Sequence, residues 1–162
     1  MQERRNDTPR SRRMTPLKSL PTEYRTPRSK RTAFGFAGSL VSSSTVRELV
    51  QGRYPRHPFV IVDCRFPYEY NGGHIPSALN FPPDQLTSLM HHVNQFASQC
   101  TGPPGLVILH CEFSQCRAPR MAYELNRQIP SQQIELYVMK GGYADFWRRF
   151  PDVCQPKGYT TM

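Results

Sequence analysis

Cys111 and Arg117 stand at the two ends of a short polar stretch, with five residues between them, inside LVILHCEFSQCRAPR at 106–120. A cysteine reacts as its thiolate. An arginine binds two oxygens of an oxyanion at once through its planar fork. A loop that leaves a strand and enters a helix also points several free backbone N–H groups at one place. Nucleophile, guanidinium and amide cradle together suit attack on a tetrahedral oxyanion such as a phosphoester. The expected reaction has two steps: Cys111 attacks phosphorus to give a phosphocysteine, and water then hydrolyses it. Glu112, Phe113, Ser114, Gln115, Cys116 and Arg117 are the expected phosphate-binding loop. Glu112 is the only acid in it, hence the candidate proton donor to the leaving oxygen, with an outward-pointing surface charge as the equal alternative.

Such a loop needs a strand before it and a helix after it. The apolar run 106–109 predicts a buried strand, and Ala118-Pro119 suits the first turn of a helix spanning 120–128. Upstream, 43–52 predicts a short helix with Thr45 and Glu48 as a capping box and Gly52 as its stop. FVIVD at 59–63 is apolar without alternation, as in a strand of a parallel sheet covered on both faces. Cys64 and Arg65 follow at its C-terminal end, where open α/β sheets place their ligands. Asn71-Gly72-Gly73 predicts a turn and 78–81 a short strand. Asp84 is expected to cap a helix carrying Leu86, Leu89, Val93 and Phe96 on one face. A strand at 134–138, a Gly141-Gly142 turn and an aromatic helix at 143–150 complete an alternating pattern. It predicts a doubly wound α/β domain with a mainly parallel sheet.

The 162 residues carry a net charge of +9, but 1–31 holds ten Lys and Arg against three acids, and so seven of the nine charges. The basic character belongs to a tail. Residues 1–38 are poor in large apolar side chains and are expected to be disordered, leaving 39–162 as the catalytic domain. Thr8, Thr15 and Thr26 each precede proline and are candidate phosphorylation sites. The basic clusters at 10–13 and 28–31 suit a nuclear address or weak nucleic-acid binding; a solvated tail without a partner is the alternative. No apolar run spans a membrane, and the start lacks the apolar core of a secretion signal. Five cysteines without tight pairing fit free thiols in nucleus or cytoplasm. A zinc site at His110, Cys111 and Cys116 lacks a second ligand pair, so no metal or other cofactor is expected.

Three blocks, VIVDCRFPYEYNGGHIPSALN (60–80), HCEFSQCRAPRM (110–121) and ELYVMKGGYADFWRRFPDVCQPKGYTTM (135–162), resemble the catalytic domain of M-phase inducer phosphatases, dual-specificity enzymes of cell-division control. The resemblance implies a three-layer rhodanese-like fold with a mainly parallel five-stranded sheet and helices on both faces. It implies phosphothreonine and phosphotyrosine of cyclin-dependent kinases as substrate and no metal; a monomer is expected separately. It places the nucleophile at Cys111 and the phosphate-binding arginine at Arg117. It also implies a resolving cysteine at Cys64, which can form a disulfide with the nucleophile; the residues alone favour a buried core thiol there. His74 matches a packing position. Two departures stand out. Cys116 replaces the glutamate that usually precedes the loop arginine, adding a thiol that competes with Cys64 as partner. Asn126 and Pro130 replace arginines that dock the kinase substrate, and the family's C-terminal helix has no matching stretch. Arsenate reduction by a rhodanese-like protein is the alternative reading, because arsenate has the shape and charge of phosphate. Sulfurtransfer is disfavoured by loop length, and a non-catalytic docking module by the intact Cys111 and Arg117.

Overall fold

The computed structural model describes residues 25–26, 39–129 and 132–162. Thr8, Thr15, both basic clusters and Pro130 lie outside them. In chain order the elements are β1 (Arg25–Thr26), β2 (Ser39–Val41), α1 (Ser43–Val50), β3 (Phe59–Asp63), α2 (Pro67–Asn71), β4 (Leu79–Asn80), α3 (Leu86–Gln99), β5 (Gly105–His110), α4 (Arg117–Gln128), β6 (Ile134–Met139) and α5 (Gly142–Arg149). The sheet runs β1-β2-β6-β5-β3-β4. Its last five strands are parallel, as expected, and β1 adds two antiparallel residues at the β2 edge. Neither β1 nor β2 stands out in the sequence, and Thr26 lies in β1.

Strand alternation divides the core into two layers. Val60, Val62, Val107 and Leu109 face α3 and α4, packing on Leu89, Val93, Met121 and Leu125. Ile61, Leu106 and Ile108 face α1 and α5, against Val46, Leu49, Tyr143 and Phe146. Helices therefore cover both faces, the three-layer arrangement that the continuous apolarity of β3 and β5 requires.

Four local expectations are corrected. Thr45 and Glu48 form no capping box: Ser42 caps α1, accepting from the Thr45 N–H at 3.1 Å, and the Glu48 carboxylate accepts from the Tyr54 hydroxyl. Ser42 sits one turn earlier with its short hydroxyl already in place, so Glu48 is free for a tertiary partner. Asp84 does not cap α3; it lies inside a 3₁₀ turn, Pro83–Gln85, that leads directly into the helix. The helix after the loop begins at Arg117 rather than at 120. Finally, the segment before Gly72-Gly73 is not merely a turn approach but the five-residue helix α2, started by Pro67.

Candidate active site

Adjacent rungs of the sheet bring the two sulfurs together. Asp63 of β3 and His110 of β5 are register partners, and the Cys64 N–H donates to the His110 carbonyl at 2.7 Å. The next residue on each strand is a cysteine, and neighbouring parallel rungs send their side chains to the same face. Cys64 and Cys111 accordingly share the core layer under α3 and α4. Burial, reinforced by the charge of Cys111, pushes the Cys64 thiol well above its ordinary range. Cys64 is thus a protonated thiol beside the candidate nucleophile. Cys116 differs: it is exposed and forms the N-cap of α4.

The loop is held from below by α5. The Tyr143 N–H donates to the Cys111 carbonyl and the Ala144 N–H to the Glu112 carbonyl, both at 2.9 Å. Each peptide unit is planar with C=O and N–H opposed. Fixing those carbonyls toward α5 therefore turns the N–H groups of Glu112 and Phe113 the other way. Among the described residues, none of the backbone N–H groups of 112–116 donates to another backbone carbonyl. Ser114 turns the chain with a φ of 55°, and its hydroxyl lies 3.5 Å from the Cys111 nitrogen. The approach of α5 depends on Gly142, whose φ is +61°; a Cβ there would stand 2.4 Å from the Glu112 oxygen and 2.5 Å from the Cys111 oxygen.

Arg117 is aimed by Glu69. Its Nη1 and Nη2 donate to the two carboxylate oxygens at 2.6 and 3.1 Å. Glu69 is fully buried, while the Arg117 side chain keeps 15 % of its surface. Burial would lower the guanidinium pKa, but the hydrogen bonds and charge of Glu69 outweigh it and hold it above the usual value. The same carboxylate accepts the Phe66 N–H at 2.8 Å, so it also caps α2. Glu69 was not singled out in the sequence. Its signal was the spacing Phe66-Pro67-x-Glu69, with Pro at the first helical position and an acid at the third.

Glu112 is buried, and its carboxylate accepts from the Tyr159 hydroxyl at 2.7 Å. Burial together with the adjacent carboxylate pushes the Tyr159 phenol up to about 12. Tyr159 belongs to a C-terminal segment that pairs His74 with Gln155 and receives the Tyr143 hydroxyl on the Gly158 carbonyl at 2.8 Å. His74 packs face to face on Tyr70, the packing position the resemblance implied.

On the opposite sheet face, directly behind the sulfurs, lies a closed ionic cluster. Arg65 Nε and Nη2 donate to Asp63 at 2.9 and 2.6 Å, and both side chains are fully buried. The Arg65 guanidinium also donates to the Gly73 carbonyl and stacks 3.9 Å from the Tyr143 ring centroid. Asn80 donates to the Asp63 and Arg65 carbonyls, fixing the strand end. Burial would raise the Asp63 carboxyl; the charge of His110 when protonated and the Arg65 contacts overcome this and lower it. Burial depresses the His110 imidazole despite the Asp63 charge, and its Nε2 stands 3.7 Å from Asp63 without a hydrogen-bond partner. Among the described residues, no three His, Cys, Asp or Glu side chains converge as metal ligands.

A model of the rhodanese-like domain matches residues 45–149. Rat M-phase inducer phosphatase 2 is 38% identical over 134 residues, covering 75% of this chain and 23% of its own length. Human M-phase inducer phosphatase 3 is 34% identical over 131 residues, covering 75% and 28%. The chain thus spans about a quarter of the length of these relatives. Among solved structures, a yeast protein tyrosine phosphatase of the rhodanese family superposes with a TM-score of 0.64 and 26% identity, over 75% of this chain and 92% of that one. An As–Sb reductase from Leishmania major, 20% identical with a TM-score of 0.55 over 71% and 83%, shares the fold. This chain belongs to the rhodanese-like domain family, and within it is similar to the M-phase inducer phosphatases.

Proposed function

We propose that the protein is a cysteine-dependent, metal-independent protein phosphatase that hydrolyses phosphothreonine and phosphotyrosine. One observation supports this most: the loop between Cys111 and Arg117 keeps its backbone N–H groups free while Glu69 fixes the guanidinium beside it. A phosphoryl dianion bound there meets a thiolate and preorganised donors that need no rearrangement as charge shifts to the equatorial oxygens. Cys111 forms the S–P bond as the P–O bond to the leaving oxygen breaks. Water then cleaves S–P and releases phosphate. By resemblance to the M-phase inducer phosphatases, the proposed substrate is a phosphorylated cyclin-dependent kinase; the free thiols and basic tail suit the nucleus or the cytoplasm, and the enzyme is taken to act as a monomer. Glu112 is the acid nearest the nucleophile in sequence. Its engagement with Tyr159 gives it an anchoring role beside that of donor. Glu112→Gln separates the two roles, since loss of a donor slows alkyl phosphates far more than aryl phosphates, whereas loss of an anchor slows both alike.

The buried thiol of Cys64 serves to protect the nucleophile. A peroxide converts the Cys111 thiolate to a sulfenic acid, which condenses with the Cys64 thiol to a disulfide and water. Cys64→Ser is expected to speed irreversible peroxide inactivation; the same effect from Cys116→Ser instead would reassign the partner.

The deciding assay gives the purified chain an aryl phosphate, arsenate with glutathione and glutaredoxin, and thiosulfate with cyanide, with Cys111→Ser as control. Phosphate release that needs Cys111, with the other two arms silent, is expected. Arsenate turnover with no phosphatase activity would establish the reductase reading, and hydrolysis that survives Cys111→Ser would end the mechanism.

A further inference from the structure

Resting on the phosphatase reading, we propose that Phe66 and Tyr68 form a shelf beside the anion cradle that seats a large apolar side chain of the substrate polypeptide. That side chain lies two positions from the phosphorylated residue. Among the described residues, the exposed large hydrophobic side chains are Phe66 (39 %), Tyr68 (52 %), Phe113 (54 %) and the terminal Met162. Phe113 lies in the loop itself. Phe66 and Tyr68 lie at and just inside the start of α2, the helix whose Glu69 aims Arg117. The fold does not need aromatic rings there, because α2 already turns Glu69 and Tyr70 inward and keeps Phe66 and Tyr68 outside. Exposed apolar surface gathered around one site marks a contact surface.

The geometry gives the register. The Arg117 Cζ stands 5.3 Å from the Phe66 ring centroid, and the Phe66 and Tyr68 rings stack at 6.2 Å with 14° between their planes. The shelf is therefore continuous with the guanidinium that grips the phosphate. In an extended peptide, residues two apart project to the same side, about 7 Å from one another. A phosphate held at Arg117 then brings the side chain two positions away onto the ring pair. Charge selects its nature. The Phe66 ring face toward the site is already engaged by the Arg117 guanidinium, whose charge Glu69 and the bound phosphate neutralise, so that face is not open to a second cation. The bound phosphate repels an acid. An apolar side chain is the occupant that neither neighbour opposes.

The test uses the full chain and extended phosphothreonine peptides carrying Leu, Ser, Asp or Lys at the second position on either side. Leu is expected to raise kcat/KM over Ser by about fivefold at one of the two positions, through KM. Tyr68→Ser should bring that ratio to unity, and Tyr68→Phe should keep it. The same peptides are titrated against Cys111→Ser protein, so that the shelf is read from binding even where turnover is absent. If peptides bind with the Leu preference but are not hydrolysed, the shelf stands and the phosphatase reading falls. A preference that survives Tyr68→Ser, a preference for Lys, or no preference at either position overturns the shelf.

Discussion

Two arginine–carboxylate pairs lie within a few residues of the sulfurs, and their chemistry is the same while their surroundings differ. Arg65 and Asp63 are both fully buried, and the guanidinium is further closed in by the Gly73 carbonyl and the Tyr143 ring. Arg117 shares a fork with an equally buried carboxylate, Glu69, yet keeps one edge open. The closed pair is sealed from solvent, even though the Arg65 Nη1 has no hydrogen-bond partner, and it holds the end of β3 in shape. The open pair is a guanidinium with its direction fixed and its charge still on offer. Burial of the arginine, more than the identity of its partner, decides which pair is scaffold and which is binding device.

The contrast can be broken in four places, taken from the largest effect. Arg117→Lys keeps the charge but loses the planar fork, and kcat/KM for an aryl phosphate is expected to fall about 1000-fold with little loss of stability. Asp63→Asn should do the reverse, removing about 3 kcal/mol of stability by leaving Arg65 buried and unpaired. The measurement is a denaturant midpoint, and an unchanged midpoint would show that the closed pair is not structural. Glu69→Gln tests the open pair from the carboxylate side: a guanidinium no longer aimed should cost about 100-fold in kcat/KM, and Glu69→Asp should recover part of it. The pH dependence of stability gives the fourth. Buried His110 has a folded pKa below its unfolded value near 6.5, so the unfolded state binds its proton first. Stability should therefore be full above about pH 6.5 and decline as pH falls below it, by up to about 1.4 kcal/mol per pH unit. Asp63, lowered in the fold, adds a further decline below about pH 4. His110→Gln should flatten the first decline and shrink the second, because the charge of protonated His110 is the foremost influence lowering Asp63, while the Arg65 contacts keep part of it.

Much of this arrangement was legible before any coordinates. The strands β3 and β5 announced themselves because both faces are covered, which leaves an unbroken apolar run that few other elements produce. Cys111 and Arg117 followed because strand, loop and helix carried local signals in the right order. Glu69 was illegible for a different reason. Five residues are too few for helical periodicity, and its importance comes from a contact with Arg117, 48 positions downstream. Tyr159 lies 47 positions from Glu112, and no local rule joins them. The two-residue β1 and the three-residue β2 are strands only through their neighbours. Asp84 misled because an acid before an apolar period is ordinarily a cap, whereas Pro83 had already begun a tighter turn. Local signals carried Cys111 and Arg117, the proposed nucleophile and phosphate-binding arginine; the residues that aim and brace them belong to tertiary structure alone.

Gly142 sets a limit on portability. The geometry of the loop that begins at Cys111 is written partly in a bare backbone position thirty-one residues beyond that cysteine. Transplanting only HCEFSQCR onto another parallel-sheet scaffold would carry the reagents without the mould. Conversely, a single added methyl at that distant position would unseat the cradle while leaving each of its own residues untouched.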